Sequence, residues 1–161
     1  MPQTAWLSTV YQQYRRELFL AAWTVLRRVD LAEDAVHSAF VKMARFPAPP
    51  DDPKLYALRA VRNSAIDLIK ARSRRREVSL PDGWDAASAE SIPVDAEVMQ
   101  SLVKLLDALD PRSREVIELH LHAALTFQEI SLVLEEPLST VASRYRRALE
   151  KVGKEMKVRY E

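Results

Sequence analysis

Residues Leu125 to Leu149, LTFQEISLVLEEPLSTVASRYRRAL, admit little besides two short helices joined by a tight turn. Thr126 and Glu129 form a T-x-x-E capping box, in which each side chain bonds the other's backbone amide at a helix start. Phe127, Ile130, Val133 and Leu134 give that helix one apolar face. Glu135, Glu136 and Pro137 end it, because Pro137 lacks an amide hydrogen and disfavours helix just before itself. Ser139 or Thr140 caps a second helix whose Val141, Ala148, Val152 and Met156 face inward. Arg144, Arg146, Arg147 and Lys151 project from its other sides. A helix that enters the major groove of duplex DNA needs this arrangement: inert packing behind, guanidinium forks in front, a polar cap near the phosphates. Two ordinary core helices with a solvated charged face remain the alternative on these residues alone.

The rest of the chain narrows the choice. Its 161 residues hold only two glycines, Gly83 and Gly153, and no clear apolar alternation, so the helical periods imply an all-α protein. Zero cysteines exclude disulfides and thiolate metal sites. The amino terminus lacks a basic-then-apolar signal pattern, and the run from Leu18 to Leu26 is too short to span a bilayer. The expectation is a soluble, cytoplasmic protein with no membrane contact of its own. A net charge of +1 hides strong segregation: residues 1–76 carry +7, 77–110 carry −7, and 139–159 carry +5. Two basic faces joined by an acidic strap suit two polyanion contacts.

Helical stripes divide the chain. The first helix is expected from Thr4 to Arg28, with Leu7, Tyr11, Tyr14, Leu18, Ala21 and Val25 on one side. A second follows Asp30, with Ala32, Ala35, Val36, Ala39, Phe40 and Met43 facing inward, and Pro47, Pro49 and Pro50 then impose an extended loop. A third is expected from Pro53 to Arg62, and a Ser64/Asp67 capping box starts a fourth that runs into Arg72, Arg74, Arg75 and Arg76. Asn63 then occupies a corner between helices. Residues 77–95 read as a Ser-, Ala-, Asp- and Pro-rich linker around Trp84. Helical pattern resumes with Val98, Leu102, Leu105, Leu106 and Leu109, and Asp110 with Pro111 opens the next helix. The expected organisation is two small helical domains, 1–76 and 96–161, joined by a flexible acidic linker.

Several of these residues together resemble the sigma factors of bacterial RNA polymerase. Glu115 with Val116, Glu129 with Ile130, Pro137, Thr140 with Val141, Ser143 with Arg144 and Arg147 with Ala148 fall at the spacings of the family's promoter-binding carboxy-terminal domain. Ala32, Glu33, Asp34 and Phe40 resemble the helix that docks on the polymerase clamp. Tyr56, Leu58, Arg59, Arg62, Asn63 and Asp67 resemble W-L-x-R-I-A-R-N-x-x-x-D, the element that reads and melts the minus-ten region. The ordered set, in two domains without inserts, is similar to the extracytoplasmic-function (ECF) group. The chain departs from the pattern in lacking the turn glycine around Glu135, in Ser139 for glycine, in Ala142 for a basic residue, and in Leu31, His37 and Ser38 for polar docking residues.

The resemblance implies a dissociable initiation subunit that directs promoter-specific transcription. Its expected partners are core polymerase, promoter DNA as duplex and as melted non-template strand, and an anti-sigma factor as a further candidate. The implied docking residues are Glu33, Asp34, His37 and Phe40. The implied DNA contacts are Tyr56, Arg59, Arg62, Asn63 and the Arg72, Arg74, Arg75, Arg76 cluster in the first domain. In the second they are Thr126, Ser139, Thr140, Ser143, Arg144, Arg146 and Arg147. Neighbouring arginines on a helix lie about 100° apart, so Ser143 and Arg147 are expected near bases and Arg144 near a phosphate or a partner carboxylate. Thr126 serves first as a cap and then as a phosphate contact. Asn63 either caps a helix or pairs its amide with a base edge. No catalytic residue, metal ligand or cofactor is expected: His120 and His122 diverge, His37 stands alone, and two isolated glycines make no phosphate loop. A free-standing helix-turn-helix regulator and a sigma mimic that titrates an anti-sigma factor are the rival readings.

Overall fold

The computed structural model describes residues 4–46, 48–75 and 104–160, the last three as backbone alone. Six helices, α1 Ala5–Leu26, α2 Val29–Met43, α3 Pro53–Arg74, α4 Pro111–Leu121, α5 Phe127–Leu134 and α6 Leu138–Tyr160, follow in order, with a further helical turn at 104–107. Among the described residues there is no strand, as an all-α reading requires. None of the described helices is long and apolar enough to cross a membrane. The expected linker 77–95, Trp84, Arg76, Pro47, Val98 and Leu102 lie outside the described residues.

Helices α1 to α3 pack as a bundle around Leu18, Ala21, Ala22, Met43, Leu58 and Val61. Helix α2 contributes Ala32, Ala35 and Ala39, each at most 1% exposed, and side chains this small let its backbone approach the others. Arg27 turns the chain between α1 and α2 from a left-handed conformation (φ 57°), its amide bonding the Trp23 carbonyl at 2.8 Å. Asp52 caps α3 by accepting from the Leu55 amide at 3.1 Å, and Pro53 takes the first turn, where no amide is needed.

Three expectations about this half need correction. Helix α3 is continuous, so Asn63 lies in mid-helix instead of at a corner. The Ser64/Asp67 signature does not start a helix, because Leu58, Val61, Ser64 and Ala65 keep one buried stripe running through it. Tyr11, assigned to the inner stripe of α1, is 44% exposed.

In the carboxy-terminal half the expected caps at Asp110 and Thr126 are both formed. Asp110 accepts from the Ser113 amide, and the Thr126/Glu129 box is closed in both directions, each bond 3.1 Å. Glu135 ends α5 in the left-handed region (φ 56°, ψ 45°). Helix α6 starts one residue before the expected caps. The Pro137 carbonyl accepts from the amides of Thr140 and Val141, which places Ser139 and Thr140 inside the first turn. Val141, Ala148 and Val152 are buried as expected, but Met156 is 43% exposed.

The two halves share a core. Val116, Leu119, Ala123, Leu125, Ile130, Val133 and Val141 are continuous with the bundle of α1 to α3. A smaller cluster, Leu105, Leu106, Leu109, Ile117, Ala148 and Val152, holds α6 against α4 and the 104–107 turn.

Candidate nucleic-acid interface

Helix α3 carries the first set of assigned residues. Tyr56 is half-buried, its ring edge-on to Trp6 of α1 at 6.3 Å between centroids. Asn63 is exposed two turns further along, close to the same side of the helix. Arg72 is half-buried, whereas Arg74 and Arg75 are exposed at the helix end, where positive charge is favourable. Arg59 and Arg62 point to the carboxy-terminal half. Arg59 donates from Nε and a terminal nitrogen to the Leu132 carbonyl at 3.1 and 2.6 Å, with Glu135 3.4 Å away. Arg62 pairs with Glu115.

The second set lies on α5 and α6. Ser139, Arg146 and Arg147 are exposed and Ser143 is half-buried, at intervals of three and four residues that make them neighbours. Arg144 is directed elsewhere: it pairs with Glu136 behind the turn, and Glu136 also lies 3.6 Å from Arg112. Thr140 is half-buried and Thr126 is exposed while committed to its box. Packing beneath this motif comes from His120, Phe127 and Tyr145, whose rings lie 4.7 to 4.9 Å apart. The His120 ring also bonds the Leu125 carbonyl at 2.8 Å, so it braces the turn before α5.

The docking residues fall on α2. Glu33, Asp34 and His37 are exposed and Phe40 is half-buried, edge-on to Tyr11 at 5.6 Å. Glu33, Val36, His37 and Phe40 line one wall of an open groove of about 520 Å³. Its other wall is Tyr11, expected on the inner stripe of α1, with Arg15, Arg16 and Phe19, which sequence reasoning did not single out.

Sequence reasoning also missed the polar groups between the halves. Arg27 reaches Glu118 and lies 3.5 Å from Asp107, while its guanidinium covers the Trp23 ring at 4.4 Å. Lys54 lies 3.1 Å from Glu129. These partners are far apart in sequence, and no local spacing signals them. Burial pushes the Glu118 carboxyl up to about 7 despite the opposing Arg27 charge. Burial would also raise Glu129, but the Thr126 amide and Lys54 outweigh it and hold that carboxyl below its usual value. His122 is lowered, first by burial and then by Arg27 and Arg16. No group of three or more metal-ligating side chains is found among the described residues.

Comparison with known proteins matches both halves. Residues 10–75 match sigma-70 region 2, and residues 105–154 match sigma-70 region 4. The probable ECF RNA polymerase sigma factor SigI of Mycobacterium tuberculosis is 28% identical over 157 residues, covering 91% of this chain and 54% of its own. SigE of Mycolicibacterium smegmatis, an ECF sigma factor, is 26% identical over 148 residues, covering 88% and 58%. The chain thus spans little more than half the length of these two relatives. Among solved structures, the sigma factor RpoE bound to the anti-sigma factor NepR from Bartonella quintana aligns with a TM-score of 0.67 at 17% identity, covering 94% of this chain and 97% of that one. CnrH, solved with the cytosolic domain of CnrY, aligns at 0.65 and 22% identity, covering 94% and 87%. With region 2 and region 4 in order and together spanning most of its length, the chain belongs to the sigma-70 family, and the relatives it is similar to are extracytoplasmic-function sigma factors.

Proposed function

We propose that the chain is a non-catalytic initiation subunit, acting in the cytoplasm, that binds core RNA polymerase and directs it to promoters with a minus-thirty-five and a minus-ten element. The observation that carries this reading is the exposed polar side of α6, Ser139, Arg146 and Arg147 with Ser143 beside them, on a helix whose opposite side is buried. Guanidinium forks on such a helix read guanine edges in the major groove, and hydroxyls contact bases or phosphates. Thr126 and Thr140 add phosphate contacts at the edge of the motif. In the amino-terminal half, Tyr56 and Asn63 would take an unstacked base of the non-template strand, with Arg59, Arg62, Arg72, Arg74, Arg75 and Arg76 following its backbone. Glu33, Asp34, His37 and Phe40 would meet the polymerase, and the α1–α2 groove beside them adds Arg15 and Arg16. The polymerase supplies the chemistry, so the subunit needs no cofactor. An anti-sigma factor is a further partner of this surface.

Co-purification with core polymerase followed by run-off transcription tests the reading. Core binding with promoter-specific transcripts supports it. DNA binding without core binding would make the chain a free-standing regulator. Core or anti-sigma binding without transcription would make it a mimic.

A further inference from the structure

Glu136, in the turn between α5 and α6, has no task in the promoter reading. Its backbone is pinned on both sides: the amide donates to the Ser131 carbonyl at 3.0 Å, and Pro137 after it favours an extended conformation. From there its carboxylate takes Arg144 of α6, and the exposed Arg112 of α4 lies 3.6 Å from the same group. The side chains of Arg144 and Glu136 are 19% and 20% exposed, so this pair is shielded beyond an ordinary surface contact. Yet Arg144 directly follows Ser143 and stands about one turn before Arg147, the two residues expected at base edges.

We propose that Glu136 is a specificity-determining residue, which withholds Arg144 from DNA phosphates so that α6 is held on its site by base-reading side chains. The inference rests on the promoter-binding reading and deepens it by naming a residue that sets its selectivity. A cation on phosphate strengthens binding to every sequence and carries no sequence information. On a wrong sequence no base contact fixes the angle of the helix, so a free guanidinium beside the reading side takes whichever phosphate it meets. On the preferred sequence Ser143 and Arg147 set that angle and leave Arg144 facing the turn. Carboxylate suits the holding task because it engages guanidinium with charge-assisted bonds of the kind that phosphate makes. The gain is selectivity, since a promoter competes with a great excess of other duplex.

The test uses the whole chain bound to core polymerase and two duplexes. One carries the minus-thirty-five sequence that the parent selects from a randomised library, and the other has that sequence scrambled. Affinity for each is measured over a series of salt concentrations. Glu136→Gln keeps side-chain shape and removes the charge. Its affinity for the scrambled duplex at low salt should rise about threefold or more, with a salt slope steeper by about one unit, as one further phosphate contact requires. Affinity for the preferred duplex should rise less, so discrimination falls. Glu136→Gln/Arg144→Gln removes both charges and should keep the parent's slope on both duplexes. Unchanged or weaker scrambled binding by a Glu136→Gln chain that melts with the parent would overturn the proposal, as would an equal gain on both duplexes. A shallower slope in the double variant would overturn it independently, by showing Arg144 on phosphate in the parent; this arm decides if Glu136→Gln alone fails to fold. Failure of the parent itself to select a sequence would instead overturn the promoter reading, leaving the slopes on random duplex to judge the hold of Glu136 on Arg144.

Discussion

Glu135 carries a conformational cost at a known place. A non-glycine residue in the left-handed region costs about 1–2 kcal/mol, and helices commonly end there with glycine. At φ 56° Glu135 gains only an exposed contact with Arg59, which keeps its bonds to the Leu132 carbonyl. Glu135→Gly should therefore raise unfolding stability by about 1 kcal/mol, read as a higher denaturant midpoint. A lower midpoint would mean that the Arg59 contact outweighs the backbone cost.

Glu118 makes a pH-dependent contribution. Its carboxyl stands at about 7 in the folded chain against an ordinary 4.5, because burial disfavours the charged form more than Arg27 favours it. A raised carboxyl binds its proton more tightly in the folded state. The stability it contributes is thus fully present below pH 4.5 and is lost as pH rises through about 7. Glu118→Gln cannot ionise. The parent's thermal midpoint should fall relative to that variant as pH rises from 4.5, most steeply between 4.5 and about 7, and level off above that. His122 has the opposite dependence, since its depressed value favours the folded state above its ordinary 6.5. It is common to both chains and cancels in the difference. Parallel midpoint curves would show that Glu118 does not titrate in this range.

At the scale of elements, helix α6 divides its arginines by side. Arg147→Ala should relax discrimination at one or two minus-thirty-five positions, at about 1–3 kcal/mol for a lost bidentate base contact. Arg144 pairs with Glu136, so Arg144→Ala should lower stability and weaken DNA binding on all sequences alike, leaving the preferred sequence unchanged. Binding of both variants to a randomised promoter library decides between them. A changed preference in Arg144→Ala with none in Arg147→Ala would mean that the helix reads DNA from another side. On α3, Asn63→Ala should impair promoter opening more than closed-complex binding, as judged by permanganate footprinting beside filter binding. Equal activity of mutant and parent on duplex and pre-melted templates would contradict that role.

The elements differ in how far the sequence reveals them. Capping at Asp110 and Thr126 and the break at Pro137 are local chemistry, and local chemistry is legible. The continuity of α3 is not, because a Ser64/Asp67 signature reads as a start until Val61 and Ala65 are seen to bury one unbroken stripe. The start of α6 at Leu138 is hidden similarly, since the acceptor that closes its first turn is the Pro137 carbonyl and not a side chain. The exposed arginines of the site were legible by type and spacing. The partners of Arg59, Arg62 and Arg144 were not, because they follow from how the elements pack.

For the whole molecule, the shared core and the pairs between halves describe a chain whose two expected contact regions lie on one folded body. Two basic regions flanking an acidic stretch remain the charge pattern that the sequence displays, and the described residues place cations of the first half against carboxylates of the second. That body has to serve one task if the family assignment carries over to activity: bringing a polymerase to a defined start. The direct measurement is run-off transcription from a promoter library with core polymerase, with and without the purified chain. The account predicts discrete transcripts that depend on the chain, share minus-thirty-five and minus-ten sequences, and disappear with Arg147→Ala/Asn63→Ala. Transcripts identical with and without the chain, from a preparation that binds core, would contradict it.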